Sequence, residues 1–268
     1  MEQAAQINPS KGPKTVSILG STGSVGCNTL DLVERNPEAY EVVALTAHRN
    51  VALLAEQAIK FNARHAVIAD ETLFQDLKEA LAGSGISVSA GKTALNEAAQ
   101  IPAEWVMASI VGAAGLKPTL SAIRRGATVA LANKECLVCA GDLMMQEVRD
   151  HGATLLPVDS EHNAIFQVFD FDHAESVDSI TLTASGGPFI NSTLAEMTHM
   201  TPSQAVAHPN WDMGAKISVD SATMMNKGLE MIEAYHLFPV DESQIDIVVH
   251  PQSVIHRMVT YDDGSVLA

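Results

Sequence analysis

Two acidic side chains, Asp159 and Glu161, follow the short apolar run 154–158. That run predicts a strand, and residues two apart in a strand point to the same side of a sheet. Two carboxylates on one side repel each other unless a cation lies between them. Their hard oxygen atoms suit Mg²⁺ or Mn²⁺ better than zinc, so the pair predicts a divalent-metal site. A solvated strand end is the alternative that the same two residues allow.

A third carboxylate would complete such a site, and two glutamates further along the chain are candidates. Glu230 and Glu233 lie on a predicted helix, and a spacing of three places both on one helix face. The spacing alone does not choose between them. His162 lies beside the first acidic pair, but we interpret it as a structural histidine with satisfied hydrogen bonds.

A serine followed by two glycines, at Ser185, Gly186 and Gly187, comes directly after the predicted strand 177–184. Such a turn can present a hydroxyl and free backbone amides to a phosphate group. Further hydrogen-bond donors are available nearby in sequence, on Ser221, Asn226 and Lys227. The chain has 16 basic and 32 acidic residues and a net charge of −16, so an anion site must gather its own positive charge. We therefore expect a phosphate site here.

A glycine-rich segment, GSTGSVG at residues 20–26, lies between the predicted strand 15–20 and the predicted helix 29–34. Glycines permit the tight turn and let the backbone approach a pyrophosphate, which then faces the amides at the helix N-terminus. The segment predicts a dinucleotide site, and a plain strand–helix turn is the alternative.

The next predicted strand, 41–46, is followed by Ala47, His48, Arg49 and Asn50. NAD enzymes carry Asp or Glu at this point to bind the ribose hydroxyls. Arg49 would instead pair with a 2′-phosphate, so the sequence predicts NADP(H), unless this arginine is simply solvated.

Two further segments are expected to lie near the ligands. Lys134 follows the predicted strand 128–132, at the strand end where α/β sheets bind ligands. The loop 208–214 contains Trp211, one of two tryptophans, and predicts a lid that excludes water. The alternative for the loop is that Trp211 anchors it in the core.

These residues need a framework, and the apolar pattern predicts one. Short apolar runs separated by amphipathic stretches predict a parallel sheet covered by helices on both faces, a doubly wound, Rossmann-type α/β domain. Its predicted strands are 15–20, 41–46, 65–69, 87–90, 105–110, 128–132 and 154–158.

After Asp159 the content of glycine, proline, histidine and methionine rises, which predicts a second α/β domain. Its expected strands are at about 177–184 and 245–250, with a helix at about 222–237. We therefore predict a flexible extension at 1–13, an NADPH-binding Rossmann domain at 14–159, and a catalytic domain for metal and substrate at 160–268. The last residues read as a strand, so we expect a chain truncated at its C-terminal end.

The composition narrows the class of protein. With 268 residues, 47% of them hydrophobic, the chain can bury a substantial core. The acidic balance argues against nucleic acid and anionic membranes as partners, and three cysteines, an odd and small number, favour a reducing compartment. We expect a cytoplasmic protein with a small-molecule substrate.

Seven segments of the chain are similar, in order, to the 1-deoxy-D-xylulose 5-phosphate reductoisomerase family. The resemblance covers about residues 14–268. The segments are GSTGSVG (20–26), ANKE (132–135), PVDSEHNAIFQ (157–167), ASGGPF (184–189), HPNW (208–211), KISVDSATMMNKG (216–228) and HPQSVIH (250–256).

The resemblance implies an enzyme that converts 1-deoxy-D-xylulose 5-phosphate to 2-C-methyl-D-erythritol 4-phosphate in non-mevalonate isoprenoid biosynthesis. It further implies NADPH and Mg²⁺ or Mn²⁺ as cofactors, a homodimer, and a C-terminal helical domain that this chain lacks. Where some relatives have Gly-Lys-Asn, this chain has His48, Arg49 and Asn50, and Arg49 keeps the positive charge.

The resemblance also implies roles for individual residues, and it selects Glu230 over Glu233. The implied metal ligands are Asp159, Glu161 and Glu230, which with Lys134 form the catalytic set. The implied substrate shell is Lys134, Ser160, Glu161, Ser185, His208, Trp211, Ser221, Asn226, Lys227 and Glu230. The implied cofactor contacts are Gly20, Thr22, Gly23, Ser24, Val25, His48, Arg49, Asn50, Asn133, Glu135 and Gly214.

Three other functions remain as alternatives. A semialdehyde-type dehydrogenase needs a nucleophilic cysteine in its second domain, and no cysteine follows Cys139. A dinucleotide-sensing binding module would leave the acidic residues without a purpose. A broader alternative is another NADP-dependent two-domain dehydrogenase that acts on a phosphorylated substrate.

Overall fold

The computed structural model describes residues 12–207, 214–255 and 257–268. Of the predicted N-terminal extension, residues 1–13, all but Gly12 and Pro13 lie outside the described residues. The chain divides into two compact units. The first unit comprises the described residues of Met1–Asn133 together with Glu147–Leu155, and the second comprises those of Lys134–Gln146 and Leu156–Ala268.

A seven-stranded sheet is the centre of the first unit, and its strand order is β4-β3-β2-β1-β5-β6-β7. Neighbouring strands from β4 across to β6 are parallel. The strands are β1 Lys14–Leu19, β2 Tyr40–Ala47, β3 His65–Ile68, β4 Ser87–Ala90, β5 Trp105–Ala108, β6 Thr128–Leu131 and β7 Thr154–Pro157. The predicted strands and the doubly wound fold class are thereby confirmed.

Helices connect the strands of this sheet and bury its apolar side chains. Successive residues of β3, Val67 and Ile68, belong to two different apolar clusters, as expected for a strand buried on both faces. One cluster includes Leu54 and Leu77, and the other includes Ala98. The helices that begin in this part of the chain are α1 Ser24–Arg35, α2 Val51–Lys60, α3 Phe74–Ala80, α4 Gly91–Gln100, α5 Leu116–Ile123 and α6 Lys134–His151.

The strand order reverses between β1 and β5, because the chain runs outward from β1 to β4 and then returns to the other side of β1. Ligands of open α/β sheets bind at the carboxyl ends of the strands at such a reversal. The glycine-rich turn follows β1 at this point. Its Gly20 and Ser21 amides donate to the Thr46 carbonyl at 3.1 and 2.8 Å, which ties the turn to the end of β2.

The second unit contains a four-stranded sheet with the order β11-β10-β8-β9. Its strands are β8 Val177–Ala184, β9 Ile245–Val249, β10 Arg257–Tyr261 and β11 Val266–Leu267. Its helices are α7 Ser160–Val168, α8 Leu194–Met197, α9 Pro202–Ala205, α10 Ala215–Ala222 and α11 Met225–Leu237. One core contains Ile165 of α7, Ala234 of α11, the C-cap residues Phe169 and Phe238 of these two helices, and Leu182 of β8.

Two local predictions about this unit need correction. The expected strand through Asp159 and Glu161 is wrong, because Asp159 is the N-cap of α7 and Glu161 lies in its first turn. The Asn163 amide donates to the Asp159 carbonyl at 2.8 Å, so helical bonding starts at once. Helix α11 begins at Met225 rather than 222, since Met224 has a left-handed φ of 60°.

The division into units also differs from the single boundary predicted after Asp159. The first part of α6 belongs to the second unit, and a break at Ala140 (φ −151°, ψ 34°) interrupts that helix. Gly141 lies directly against the His236 ring of α11, where a Cβ would approach Cδ2 to 2.2 Å. Contacts of this kind explain why Lys134–Gln146 groups with the second unit.

We predict that Gly26→Ala disrupts the glycine-rich turn. A Cβ at Gly26 would lie 2.3 Å from the Gly20 carbonyl oxygen, which is far inside van der Waals contact. The free energy of unfolding should fall by about 2–3 kcal/mol in urea denaturation. Gly23→Ala is the matched control, because its Cβ would meet the same oxygen at 3.4 Å. Equal losses in the two variants would contradict this account.

Candidate active site

Three carboxylates from two helices meet in the second unit. Asp159 and Glu161 lie at the start of α7, and Glu230, which is 1% exposed, lies in α11. One ligand oxygen of each lies within 4.8 Å of the others. This donor set of hard oxygen atoms, grouped closely enough to share one ion, fits Mg²⁺ or Mn²⁺. Helix start geometry, rather than strand alternation, brings the first two carboxylates together.

Two lysines face the three carboxylates. Lys134 Nζ lies 2.8 Å from Asp159 Oδ2 and 3.2 Å from Glu230 Oε1. Lys227 Nζ lies 2.7 Å from Glu161 Oε1 and also contacts Glu230 Oε2. Both ammonium groups are buried, so they counter most of the negative charge of the cluster. We call these five side chains the carboxylate–lysine cluster.

Burial and charge set the protonation of the carboxylate–lysine cluster. Burial, followed by the charges of Asp159 and Glu161, raises the pKa of Glu230 to about 7. Burial alone would also raise the pKa of Asp159, but the positive charge of Lys134 outweighs it and the pKa is lowered. Burial would lower the pKa of Lys134, yet the charges of Asp159 and Glu230 raise it. Lys134 is therefore a cation at neutral pH, and Glu230 is protonated more readily than Asp159.

Other predicted substrate residues lie beside the carboxylate–lysine cluster. Asn226 Oδ1 accepts from Lys134 Nζ at 2.7 Å, and Asn226 Nδ2 donates to Glu230. Ser160 Oγ donates to Glu161 Oε2 at 2.6 Å. The structure therefore joins these residues to the cluster by hydrogen bonds. Lys134 and Asn226 are 92 positions apart in the sequence.

The expected phosphate turn follows β8 and packs against α10. Gly186 and Gly187 both have positive φ, 92° and 68°. A Cβ on Gly187 would lie 2.4 Å from the Ser221 carbonyl oxygen, so the turn lies directly against the end of α10. The turn carrying Ser185 and the helix end carrying Ser221 are therefore neighbours. His208 and Trp211, the expected lid residues, lie outside the described residues.

A second buried pair is formed by His162, which was predicted to be structural, and Glu233, which was the alternative candidate to Glu230 as a metal ligand. His162 Nε2 lies 2.9 Å from the Glu230 carbonyl oxygen, and His162 Nδ1 lies 3.6 Å from Glu233 Oε2. With Asp159 they form a second group whose ligand atoms lie within 4.8 Å of one another. In the sequence, the spacing of three between Glu230 and Glu233 indicated that both lie on one helix face. It did not indicate which of them is the third metal ligand and which one pairs with His162.

Except for Asn133, the expected cofactor residues of the first unit cluster at the carboxyl ends of β1 and β2. Gly20, Thr22, Gly23, Ser24 and Val25 form the turn after β1 and the start of α1. After β2, the side chains of His48, Arg49 and Asn50 are exposed, and Asn50 also caps α2 by accepting from the Leu53 amide at 3.2 Å.

Two of the expected cofactor residues already have partners within the first unit. Arg49 Nη1 lies 3.1 Å from Asp70 Oδ2 while 66% of its side chain is exposed. Asn133 is buried, and its Nδ2 donates to the Gly112 carbonyl at 2.8 Å, which holds the loop after β5. This structural role of Asn133 was not visible in the sequence.

The remaining expected cofactor residues, Glu135 and Gly214, belong to the second unit. Lys216 Nζ contacts Glu135 and lies 2.7 Å from Asp220 Oδ2. Gly214 is the N-cap of α10, and its carbonyl accepts from the Ser218 amide at 3.1 Å. The expected cofactor contacts are thus divided between the two units.

The fold and the site define a two-unit α/β protein that combines a Rossmann-type sheet with a buried carboxylate–lysine cluster. Two family models match it. The first, described as 1-deoxy-D-xylulose 5-phosphate reductoisomerase, matches residues 16–141, and the second, the C-terminal domain of the same enzyme, matches residues 155–238. The chain belongs to the 1-deoxy-D-xylulose 5-phosphate reductoisomerase family.

Individual relatives agree with this assignment. The enzyme of Rhodospirillum centenum is 65% identical over 96% of this chain and 64% of its own length. The Zymomonas mobilis enzyme in complex with NADPH has a TM-score of 0.91 at 61% identity, over 96% of this chain and 66% of that one. A reductoisomerase in complex with NADPH, fosmidomycin and magnesium has a TM-score of 0.90 at 43% identity, over 95% of this chain and 65% of that one.

The chain spans 64% to 66% of the length of these relatives. Among the residues that the structure describes, no helix combines the length and the apolar character needed to cross a membrane.

We predict that Glu233→Gln changes how stability depends on pH. Burial, followed by the charge of Asp159, raises the pKa of Glu233 to about 9. The folded state therefore holds this proton between about pH 4.3, where the unfolded carboxyl titrates, and pH 9, and stability falls as pH rises through that window. A neutral Gln removes this loss.

The measurement is urea unfolding of both proteins at pH 5.5 and pH 8.5. We expect nearly equal stability at pH 5.5, and an advantage for the variant on the order of 3 kcal/mol at pH 8.5. A difference between the two proteins that is the same at both pH values would contradict the assignment.

Proposed function

We propose that this chain carries the NADPH, metal and substrate sites of a 1-deoxy-D-xylulose 5-phosphate reductoisomerase, which forms 2-C-methyl-D-erythritol 4-phosphate. The carboxylate–lysine cluster is the observation that carries the proposal. It lies in a chain that is 43% identical to a reductoisomerase bound to NADPH, fosmidomycin and magnesium. Family membership indicates which substrate to propose. The carboxylate–lysine cluster supplies side chains suited to binding a divalent cation and to stabilising negative charge on a substrate oxygen.

Asp159, Glu161 and Glu230 are the proposed ligands of a Mg²⁺ or Mn²⁺ ion, on the strength of their close approach. When bound, the ion supplies a Lewis acid for the carbonyl and hydroxyl oxygens of the substrate. Lys134 lies against two of the three carboxylates and is a cation at neutral pH. In the proposed reaction its ammonium group would stabilise negative charge that develops on a substrate oxygen during rearrangement.

The proposed phosphate site is formed by the turn after β8, the end of α10 and the start of α11. Ser185, Ser221, Asn226 and Lys227 contribute hydroxyl, amide and ammonium donors there. Contacts to a non-reacting phosphate supply binding energy that orients the rest of the substrate. Ser160, beside Glu161, together with His208 and Trp211, completes the proposed substrate shell.

The proposed NADPH site begins at the turn after β1. NADPH supplies the hydride that reduces the rearranged aldehyde. The amides of the turn and the N-terminus of α1 are suited to the pyrophosphate, and the exposed Arg49 is suited to the 2′-phosphate. The full proposed set is Gly20, Thr22, Gly23, Ser24, Val25, His48, Arg49, Asn50, Asn133, Glu135 and Gly214.

We further propose a homodimer in the cytoplasm. Edge strand β9 exposes Ile247, Val248 and Val249, which are apolar side chains suited to a subunit interface. All three cysteines are free thiols, which agrees with a reducing compartment.

NADPH oxidation in the presence of 1-deoxy-D-xylulose 5-phosphate tests the proposed reaction. We expect oxidation with Mg²⁺ or Mn²⁺ and none with excess chelator. Glu161→Gln, which removes one ligand charge, should lower kcat by roughly 100-fold or more. Glu175→Gln is the matched control, because Glu175 is an exposed glutamate in the same unit and should retain full activity. Turnover that survives chelation would favour a metal-independent dehydrogenase instead.

Arg49→Ser tests the preference for NADPH. Loss of a charge-assisted contact worth about 1.5–3 kcal/mol should raise the KM for NADPH roughly 10- to 100-fold. The KM for NADH should change little, because NADH has no 2′-phosphate. Lys60→Met removes another exposed cation of the same unit, paired with Glu34, and serves as the control. An equal rise in KM for both cofactors would show that Arg49 does not recognise the phosphate.

A further inference from the structure

Gln57 is a buried polar residue of α2 that contacts the glycine-rich turn after β1. It is only 6% exposed, and its Nε2 donates to the Ser21 carbonyl oxygen at 3.1 Å. Since that oxygen can only accept, the amide nitrogen of Gln57 rather than its amide oxygen must face it. Within the described residues, Gln57 Oε1 is buried without a hydrogen-bond partner. An apolar side chain of similar size would cost less to bury at this position, so packing alone does not explain the amide.

A second side chain converges on the same carbonyl oxygen. Cys27 of α1 directs its Sγ to the Ser21 oxygen at 3.5 Å, and Gln57 Nε2 lies 3.6 Å from that sulfur. Ser21 is itself fully buried, and its amide donates to the Thr46 carbonyl of β2 at 2.8 Å. Two helices and a strand therefore hold the Ser21 backbone from the protein side of the turn.

The direction of the Ser21 carbonyl determines where the next amide points. The Ser21–Thr22 peptide bond is trans, as are all the peptide bonds that the structure describes, so the Thr22 N–H and the Ser21 carbonyl point in opposite directions. Because the carbonyl faces Gln57, the Thr22 N–H points away from α2. Within the described ranges no group accepts a hydrogen bond from this amide. It is therefore a donor that a ligand can use.

The start of α1, which follows directly, also fits a pyrophosphate. Gly23, the N-cap of α1, has no side chain to cap the helix, and the first turn of α1 carries no acidic residue. Gly23 and Ser24 are exposed, and a helix N-terminus of this kind favours an anion. We propose that Gln57 is a positioning residue for the cofactor, which holds the Ser21 carbonyl so that the Thr22 amide donates to the pyrophosphate. This inference rests on the proposed NADPH site, whose phosphate contacts it deepens.

Helix α2 also connects the two phosphate-binding parts of that site. It begins directly after His48, Arg49 and Asn50, and Asn50 caps it by accepting from the Leu53 amide at 3.2 Å. Gln57 follows Asn50 by about two helical turns. A hydrogen bond from this helix to the glycine-rich turn therefore fixes the distance between the loop proposed for the 2′-phosphate and the turn proposed for the pyrophosphate.

A purely structural role is the competing interpretation, in which Gln57 only joins α2 to the turn and to α1. Both interpretations predict a less stable protein when the amide is removed, so stability does not choose between them. They differ in which ligands are affected. A general loosening of the unit weakens all of its ligands or none, whereas a displaced Thr22 amide weakens only those that contain the pyrophosphate.

The test measures ligand dissociation constants of Gln57→Met, which keeps the length of the side chain and removes the donor, by isothermal titration calorimetry. The Kd of NADPH should rise about 10-fold, because one charge-assisted hydrogen bond is weakened. The Kd of adenosine 2′-phosphate, which lacks the pyrophosphate, should stay within about twofold of the parent value. Arg49→Ser should show the other pattern and weaken both ligands, since both carry the 2′-phosphate.

Two further variants of α2 are the controls. Leu54→Val changes the apolar packing of the same helix, and Glu56→Met changes an exposed residue next to Gln57. Both should bind NADPH and adenosine 2′-phosphate as the parent does.

Nitrogen NMR of the threonine-labelled parent protein gives a second readout that does not depend on a Gln57 variant that folds. The Thr22 amide signal, assigned by its loss in Thr22→Ser, should shift when NADPH is added and should not shift with adenosine 2′-phosphate. A Thr22 signal that stays in place at saturating NADPH would overturn the inference. So would an unchanged Kd for NADPH in Gln57→Met, or an equal loss for both ligands. A parent protein that binds no NADPH would overturn the proposed cofactor site as well, and so separates the two failures.

Discussion

Three carboxylates lie close together where α7 meets α11. The second unit must hold them there against their mutual repulsion, and its other contacts depend on that constraint. Their ligand atoms lie within 4.8 Å of one another while Glu230 is almost fully buried. Removing such charges from water costs several kcal/mol per ion, and the mutual repulsion adds to that cost. Lys134 and Lys227 offset part of it. Hydrophobic residues of similar size would often hold two helices together at least as well, so stability alone does not account for this cluster.

The placement of Lys134 shows how the fold meets that constraint. Lys134 follows β6, yet its ammonium group pairs with Asp159 and Glu230 of the second unit, to which the start of α6 also belongs. The break at Ala140 lies within the part of α6 that belongs to the second unit, and the helix joins the first unit only from Glu147 onward. One helix thus begins in the unit that holds the site and ends in the Rossmann-type unit.

Much of the first unit could be predicted because its strands are continuous apolar runs, and a strand buried on both faces has few alternatives. The start of α7 was predicted wrongly for a related reason. An apolar run precedes Asp159, and a helix N-cap that follows a strand directly leaves no break in the hydrophobic pattern. The long-range pairs were not predictable either, because Lys134 and Asn226 are brought together by the packing of distant elements. The partnership of His162 with Glu233 depends on the same packing.

The charges of the cluster suggest an order of events in a protein that is acidic overall. Three carboxylates and two ammonium groups leave one negative charge in excess when all are ionised, which disfavours a dianionic phosphate nearby. A divalent cation among the carboxylates would reverse that sign and leave one positive charge in excess. Glu230, whose pKa is raised to about 7, would give up a proton as part of the same change. With a cation present, the carboxylate–lysine cluster would therefore attract an anionic group, even though the net charge of the chain is −16.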